Sequence, residues 1–332
     1  MKTTSTKFQS AFKEDVYQGL TSFPKYLLSK YIYDQKGDKL FQQIMAMPEY
    51  YLTNCELDIL QHHKAAIAKI IGQESENPDG NKKIGFDLIE LGAGDGKKTK
   101  ILLKYLVEKK YDFKYLPIDI SQHALEELET SLKTEIPEIE VKIQQGTYLE
   151  ALENIADYSN RRKVILVLGS NIDNLLHENA IEFLRNIQQV MTAEDMLFMG
   201  FDQKKHPQKI LDAYNDSAGI TEAFNKNLMV RMNRELDANF NPEEFLHWEA
   251  YDPESGTAKS YLVSKIEQKV QLNKLDLEVN FAAWESVHTE ISQKYDDTVV
   301  EWLADEAGLA IETSFQDHEN YYKNYIFRKT EN

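Results

Sequence analysis

"ELGAGDGKKT", Glu90 to Thr99, follows the apolar run "IGFDLI" and places three glycines within five residues. In a strand, turn and helix unit such glycines give a tight turn with no Cβ atoms in the way. A ligand can then lie against the backbone at the carboxyl end of a sheet. The spacing is G-x-G-x-G over Gly92, Gly94 and Gly96. A dinucleotide fingerprint wants its third glycine one position later, where this chain has Lys97.

The surrounding texture supports a strand before the turn and a helix after it. "FDLIEL", "YLPIDI", "EVKIQQG" and "KVILVLGS" read as four strands, and "HALEELETSLKTE" and "HENAIEFLRNIQQVM" have helical spacing. That alternation is the pattern of a parallel sheet covered by helices. The closing segment, "VVEWLADEAGLAIETSFQDHENYYKNYIFRK", reads as a helix, a strand, a turn and a last strand. Between them, from about Gln203, lies an insertion. It is helix-rich, with a break at Gly219, and then carries a hairpin in "HWEAYDPESGTAKSYLVSKIEQKVQL". The polar stretch "GQESENPDGNKK" separates N-terminal amphipathic helices from the first strand. Two domains are expected: 64–202 with 295–332 for the sheet, and 14–63 with 203–294 for a smaller α+β domain.

Composition narrows the partners. The 332 residues are 42% hydrophobic and 28% charged, with a formal net charge of -17. Such a charge opposes nucleic acid and anionic membranes, because phosphate affinity depends on Lys and Arg releasing counterions. No run reaches the ~20 apolar residues of a membrane span, and "MKTTSTKFQSAFKED" lacks a secretory apolar segment. The single cysteine, Cys55, excludes an internal disulfide and a cysteine-based zinc cluster. The expectation is a cytoplasmic monomer without metal, acting on a small molecule.

Asp119 closes the second strand in "LPIDIS", where a carboxylate can accept both hydroxyls of a ribose. That serves NAD and S-adenosylmethionine alike. S-adenosylmethionine carries a carboxylate and no pyrophosphate, and Lys98 beside the loop can pair with it. An antiparallel last strand in an otherwise parallel sheet favours the Rossmann-like sheet of a class I methyltransferase over a dehydrogenase. Asp95, on the same loop, is the weaker acidic candidate.

The stretches "YDQKGDKLFQQIMAMPEYYLTNCE", "IELGAGDGKKT", "LPIDIS", "VLGSNIDNL", "AYNDSAGITEAFNKNLMVRMNREL" and "VHTEISQKY" run through almost the whole chain. On them the chain resembles the histidine-specific Nα-methyltransferases of ergothioneine biosynthesis, which convert L-histidine to hercynine. The resemblance implies S-adenosylmethionine as cofactor and an inserted substrate-binding domain. It also implies a set of residues. Asn174 and Tyr214 meet the substrate carboxylate, and Asn174 with Tyr33 serves the reacting amine. Tyr50 and Tyr51 in "PEYY" lie nearby, and Thr221 lines the pocket. Glu290 and Ser292 in "TEIS" hold the imidazole, because an extended segment turns alternate side chains to one face. Gly92, Gly94, Lys98, Asp119 and Gly169 are implied on the cofactor side, with Tyr33 reaching it.

Two departures from the family stand out. In "QQGTYLE", Thr147 and Tyr148 occupy the adenine side where an acid is usual, and Ser260 in "TAKSYLVS" stands where an apolar methionine is expected. A roomier or wetter pocket wall at Ser260 keeps a second reading open, a methyltransferase for another amino acid or an indole-type amine. A third is a noncatalytic S-adenosylmethionine-binding protein.

Overall fold

The computed structural model describes residues 10–73, 85–147, 150 and 161–330. In chain order its strands are β1 (Lys25–Tyr26), β2 (Phe86–Leu91), β3 (Phe113–Asp119), β4 (Gln144–Gln145), β5 (Arg162–Val167), β6 (Met196–Asp202) and β7 (Phe245–Asp252). There follow β8 (Thr257–Ser264), β9 (Gln268–Leu272), β10 (Leu277–Phe281), β11 (Ser286–Gln293), β12 (Leu309–Gln316) and β13 (Tyr322–Lys329). The chain forms two compact units, Met1–Tyr51 with Lys205–Ser292, and Leu52–Lys204 with Gln293–Asn332.

The second unit is built on a seven-stranded sheet in the order β12-β13-β6-β5-β2-β3-β4. β6, β5, β2, β3 and β4 run parallel, and β13 lies antiparallel to both β6 and β12. Every residue of β2 is buried, so its run is apolar on both faces. Alternate side chains feed two cores. Ile89, Leu91, Ile165 and Val167 pack with the helices His177–Val190 and Asp297–Glu306. Leu88, Val164 and Leu166 pack on the other face with Tyr51–Ile71, Thr99–Glu108 and Gln122–Glu135.

Helix Tyr51–Ile71 joins the sheet because Leu60, Ile67, Ala68 and Ile71 enter the second of these cores. The division between units therefore falls at Tyr51/Leu52, ahead of the position 63/64 at which the sequence was divided. One strand expectation is corrected, and one strand was not expected. The third strand shrinks to Gln144–Gln145, with one further bridge from Val141 to Tyr115, since an edge segment pairs on one side only. A fifth parallel strand, β6, was not marked in the sequence.

The first unit carries a four-stranded sheet in the order β1-β11-β8-β7 and the antiparallel pair β9 and β10. β1 runs parallel to β11, and β7 with β8 is the hairpin expected from the sequence. Helix Gln35–Ala46 begins at Asp34, whose carboxylate accepts from the N–H groups of Lys36 and Gly37. The same carboxylate accepts from Asn227 Nδ2 at 2.8 Å and Arg234 Nη2 at 2.6 Å, tying that helix to Ile220–Leu236.

Candidate active site

In the second unit the turn after β2 has Gly92, Gly94 and Gly96 at φ +75°, +53° and +62°. The last two do different work. A Cβ on Gly96 would lie 2.4 Å from Leu128 Cδ1, so Gly96 lets a helix close on the turn. A Cβ on Gly94 would meet nothing within 4 Å, so Gly94 presents bare backbone to open space. Asp119 ends β3 beside it. Its Oδ2 accepts from the Gly94 N–H at 3.0 Å and its Oδ1 from the Ser121 N–H at 2.9 Å. A carboxylate fixed next to an open glycine turn, at the point where strand order reverses about β2, suits the ribose of a nucleoside.

Lys98 and Gly169 meet on one carboxylate. Lys98 Nζ donates to Glu56 Oε2 at 2.5 Å, and the Gly169 N–H donates to the same oxygen at 2.8 Å. Thr147 is exposed, and its hydroxyl and N–H both donate to Glu150 Oε2 at 2.8 Å. An acid, Glu150, thus stands three residues beyond Thr147 and accepts from it. Tyr148 lies outside the described residues. Asn174 is exposed at the end of the short 3-10 turn Asn171–Asn174, and it belongs to this unit.

Glu90, the first residue of the glycine motif, is buried. Its carboxylate accepts from Thr99 Oγ1 at 2.5 Å and from Tyr115 Oη. Burial pushes its pKa up to about 7, against the pull of the two hydroxyls and of Lys98. Sequence reading assigned neither Glu90 nor Glu56. Glu90 had a signal, an acid at the end of an apolar strand.

In the first unit the remaining site residues form a chain of aromatic and hydroxyl contacts. The Tyr33 ring meets Phe41 and Phe224 edge-on at 5.5 and 5.3 Å, and Tyr50 meets Tyr214 at 6.3 Å. Burial first, then the charge of Glu290, holds the Tyr33 phenol well above its ordinary pKa, so it stays protonated. Tyr214 Oη and Ser292 Oγ share a hydrogen bond of 2.6 Å. The Tyr214 carbonyl accepts from His247 Nε2 at 2.9 Å, which leaves His247 Nδ1 to accept from Asn225 Nδ2 at 3.0 Å. Glu290 is half-buried on β11 two residues before Ser292. Tyr51 Oη accepts from Lys205 Nζ at 2.8 Å, and buried Thr221 has its N–H bound by Asp216.

Ser260 is buried, and its Oγ donates to Glu249 Oε2 at 2.7 Å from the paired position on β7. Its carbonyl accepts from Thr289 Oγ1 at 3.0 Å. The hydroxyl is therefore answered inside the sheet by a buried carboxylate. Among the described residues, no group of three or more His, Cys, Asp or Glu could hold a metal ion.

The strand order with its single reversed strand, together with the open glycine turn and Asp119, defines a class I methyltransferase that uses S-adenosylmethionine. The profile of the family described as histidine-specific, SAM-dependent methyltransferases matches residues 12–329, and the chain belongs to that family. A histidine N-alpha-methyltransferase of Mycolicibacterium smegmatis is 35% identical over 300 residues, covering 90% of this chain and 89% of that one. Ergothioneine biosynthesis protein 1 of Schizosaccharomyces pombe is 28% identical over 91% of this chain and 39% of its own length. A 4-dimethylallyltryptophan N-methyltransferase of Aspergillus fumigatus is 25% identical over 91% of this chain and 88% of that one.

Proposed function

We propose that this protein transfers methyl groups from S-adenosylmethionine to the α-amino nitrogen of L-histidine, ending at the trimethylated product, hercynine. The observation that carries this reading is the histidine-specific family profile running from residue 12 to 329, through both units. The second unit binds the donor through Gly92, Gly94, Lys98, Asp119, Gly169 and Thr147. The first unit binds the amino acid, with Tyr214 on the carboxylate, Glu290 and Ser292 on the imidazole, Tyr33 and Tyr50 near the amine, and Ser260 in the wall. The family resemblance assigns Asn174 to the substrate. No described helix is long and apolar enough to cross a membrane. The lone cysteine agrees with a reducing, cytoplasmic compartment.

S-adenosylmethionine supplies, when bound, a methyl group already activated by its sulfonium. The chain's own residues have to orient and desolvate a neutral amine. A free α-amine titrates near ~8, so a useful neutral fraction exists at neutral pH and no strong base is required. A protonated Tyr33 phenol acts as an orienting hydrogen-bond partner. Between transfers the amine sheds its proton to water.

Incubation of L-histidine with a donor carrying an isotopically labelled methyl group tests the assignment. Nuclear magnetic resonance should place every label on the α-nitrogen. Labels on an imidazole nitrogen, or no labelled product, would overturn it.

A further inference from the structure

One carboxylate outside the glycine motif gathers the far edge of the donor cradle. Glu56 sits in the first turns of helix Tyr51–Ile71 and is 1% exposed. Its Oε2 accepts from Lys98 Nζ at 2.5 Å and from the Gly169 N–H at 2.8 Å, and its Oε1 accepts from Asn324 Nδ2 at 2.9 Å. The donors come from the entry to helix Thr99–Glu108, the turn after β5 and the first half of β13. Two of these are adjacent carboxyl-end segments of the parallel sheet.

The fold makes room for this group. A Cβ on Gly200, which pairs with Asn324, would lie 2.6 Å from Glu56 Oε1 and 2.3 Å from Tyr322 Oη. A Cβ on Gly169 would lie 3.0 Å from Lys98 Nζ, so that glycine lets the ammonium approach the turn. Gly169 and Ser170 stand at φ +80° and +61°, two successive left-handed residues. The first is fixed by Glu56. The second is fixed by its hydroxyl, which donates to Tyr322 Oη at 2.9 Å.

Such a pair is poor glue for its own sake. Taking both charges from water costs about what their attraction returns, and apolar residues of the same volume often serve stability as well. The two partners also differ. The Glu56 side chain is 1% exposed and that of Lys98 21%, so the carboxylate is shut in while the lysine side chain is partly open to solvent. An ammonium has three N–H donors, and one of them goes to Glu56.

We propose that Glu56 is a positioning residue for the amino-acid end of the donor: it holds the Lys98 ammonium beside Gly169 with its remaining donors toward the ligand carboxylate. The inference rests on the donor site assigned above, and ligand choice separates the two.

Calorimetry on the full chain with S-adenosylhomocysteine and with methylthioadenosine, which lacks the amino-acid end, makes the test. Wild type binding neither ligand would fail the donor site itself. With wild type binding both, Glu56→Gln should lower affinity for S-adenosylhomocysteine at least tenfold and for methylthioadenosine less than twofold. In a Lys98→Met background the same change should cost S-adenosylhomocysteine less than twofold, because coupled residues are non-additive. Equal losses on both ligands, or full additivity with Lys98→Met, would overturn the role of Glu56. If Glu56→Gln does not fold, Glu56→Asp, which keeps the charge one methylene short, takes its place with a smaller expected loss. At least a threefold loss confined to S-adenosylhomocysteine supports the proposal, and equal or absent losses overturn it.

Discussion

The backbone N–H of Gly94 donates to Oδ2 of Asp119 over 3.0 Å, which joins the glycine turn after β2 to the tip of β3. Asp119 is thereby fixed on one side by backbone, with its charge presented beside bare glycine. Asp119→Ala should lower S-adenosylhomocysteine affinity at least tenfold, about 1.5–3 kcal/mol for a lost charged acceptor. Asp95→Ala, on the exposed side of the same turn, should cost less. Unchanged calorimetric affinity for the Asp119 variant removes it from the site.

Glu290 and the Tyr214–Ser292 hydrogen bond decide the choice of amino acid in this account. Glu290→Ala should raise the KM for histidine strongly, since an unanswered buried N–H costs ~1–3 kcal/mol. Rejection of tryptophan and phenylalanine should not worsen. Ser292→Ala should act in the same direction by less. Kinetics with the three amino acids check this, and equal losses for all of them would reduce Glu290 to a support of the fold.

Glu90 links stability to pH. Its folded pKa, raised to about 7, lies above that of an exposed carboxyl, so the folded state holds the proton more tightly. Protonation therefore favours folding. Stability from this group is fully present below the unfolded value near ~4.5 and declines as pH rises toward 7. Melting temperatures at pH 5.5 and pH 8 should differ for wild type more than for Glu90→Gln. An unaltered difference in the variant would contradict the assignment.

Lys294 and Asp202 form an ion pair of 2.7 Å with both side chains 0% exposed. Removing only the cation leaves a carboxylate in the interior, so Lys294→Met should destabilise by ~3–5 kcal/mol. Adding Asp202→Asn should recover part of that. Denaturant titration reads both, and a loss below 1 kcal/mol for the single variant would show that water reaches the pair.

The strands that local pattern reveals are the largely buried apolar runs β2, β3 and β5, the hairpin β7 and β8, and the closing pair β12 and β13 with its turn. "EVKIQQG" has the look of a strand, but on the sheet edge its polar residues leave only two in the ladder. β6 is hard to read because "MLFMGFD" runs directly into the change of texture near Gln203, where the insertion begins. Asp119 was legible because one strand end and one glycine turn sufficed to place it. Glu56 was not. Its partners lie 42, 113 and 268 residues away, and on its own helix it reads as one more charged position. Ser260 was read as an open polar wall, whereas its partner Glu249 comes from the facing strand, which no spacing along the chain reveals.

The most direct test of the central claim is a competition in one tube: the full chain, S-adenosylmethionine and all twenty amino acids at equal concentration, followed by mass spectrometry of the amino-acid pool. The account predicts methylated histidine, progressing to the trimethylated form, with the other amino acids unchanged. Methylation of a different amino acid with histidine untouched would contradict it.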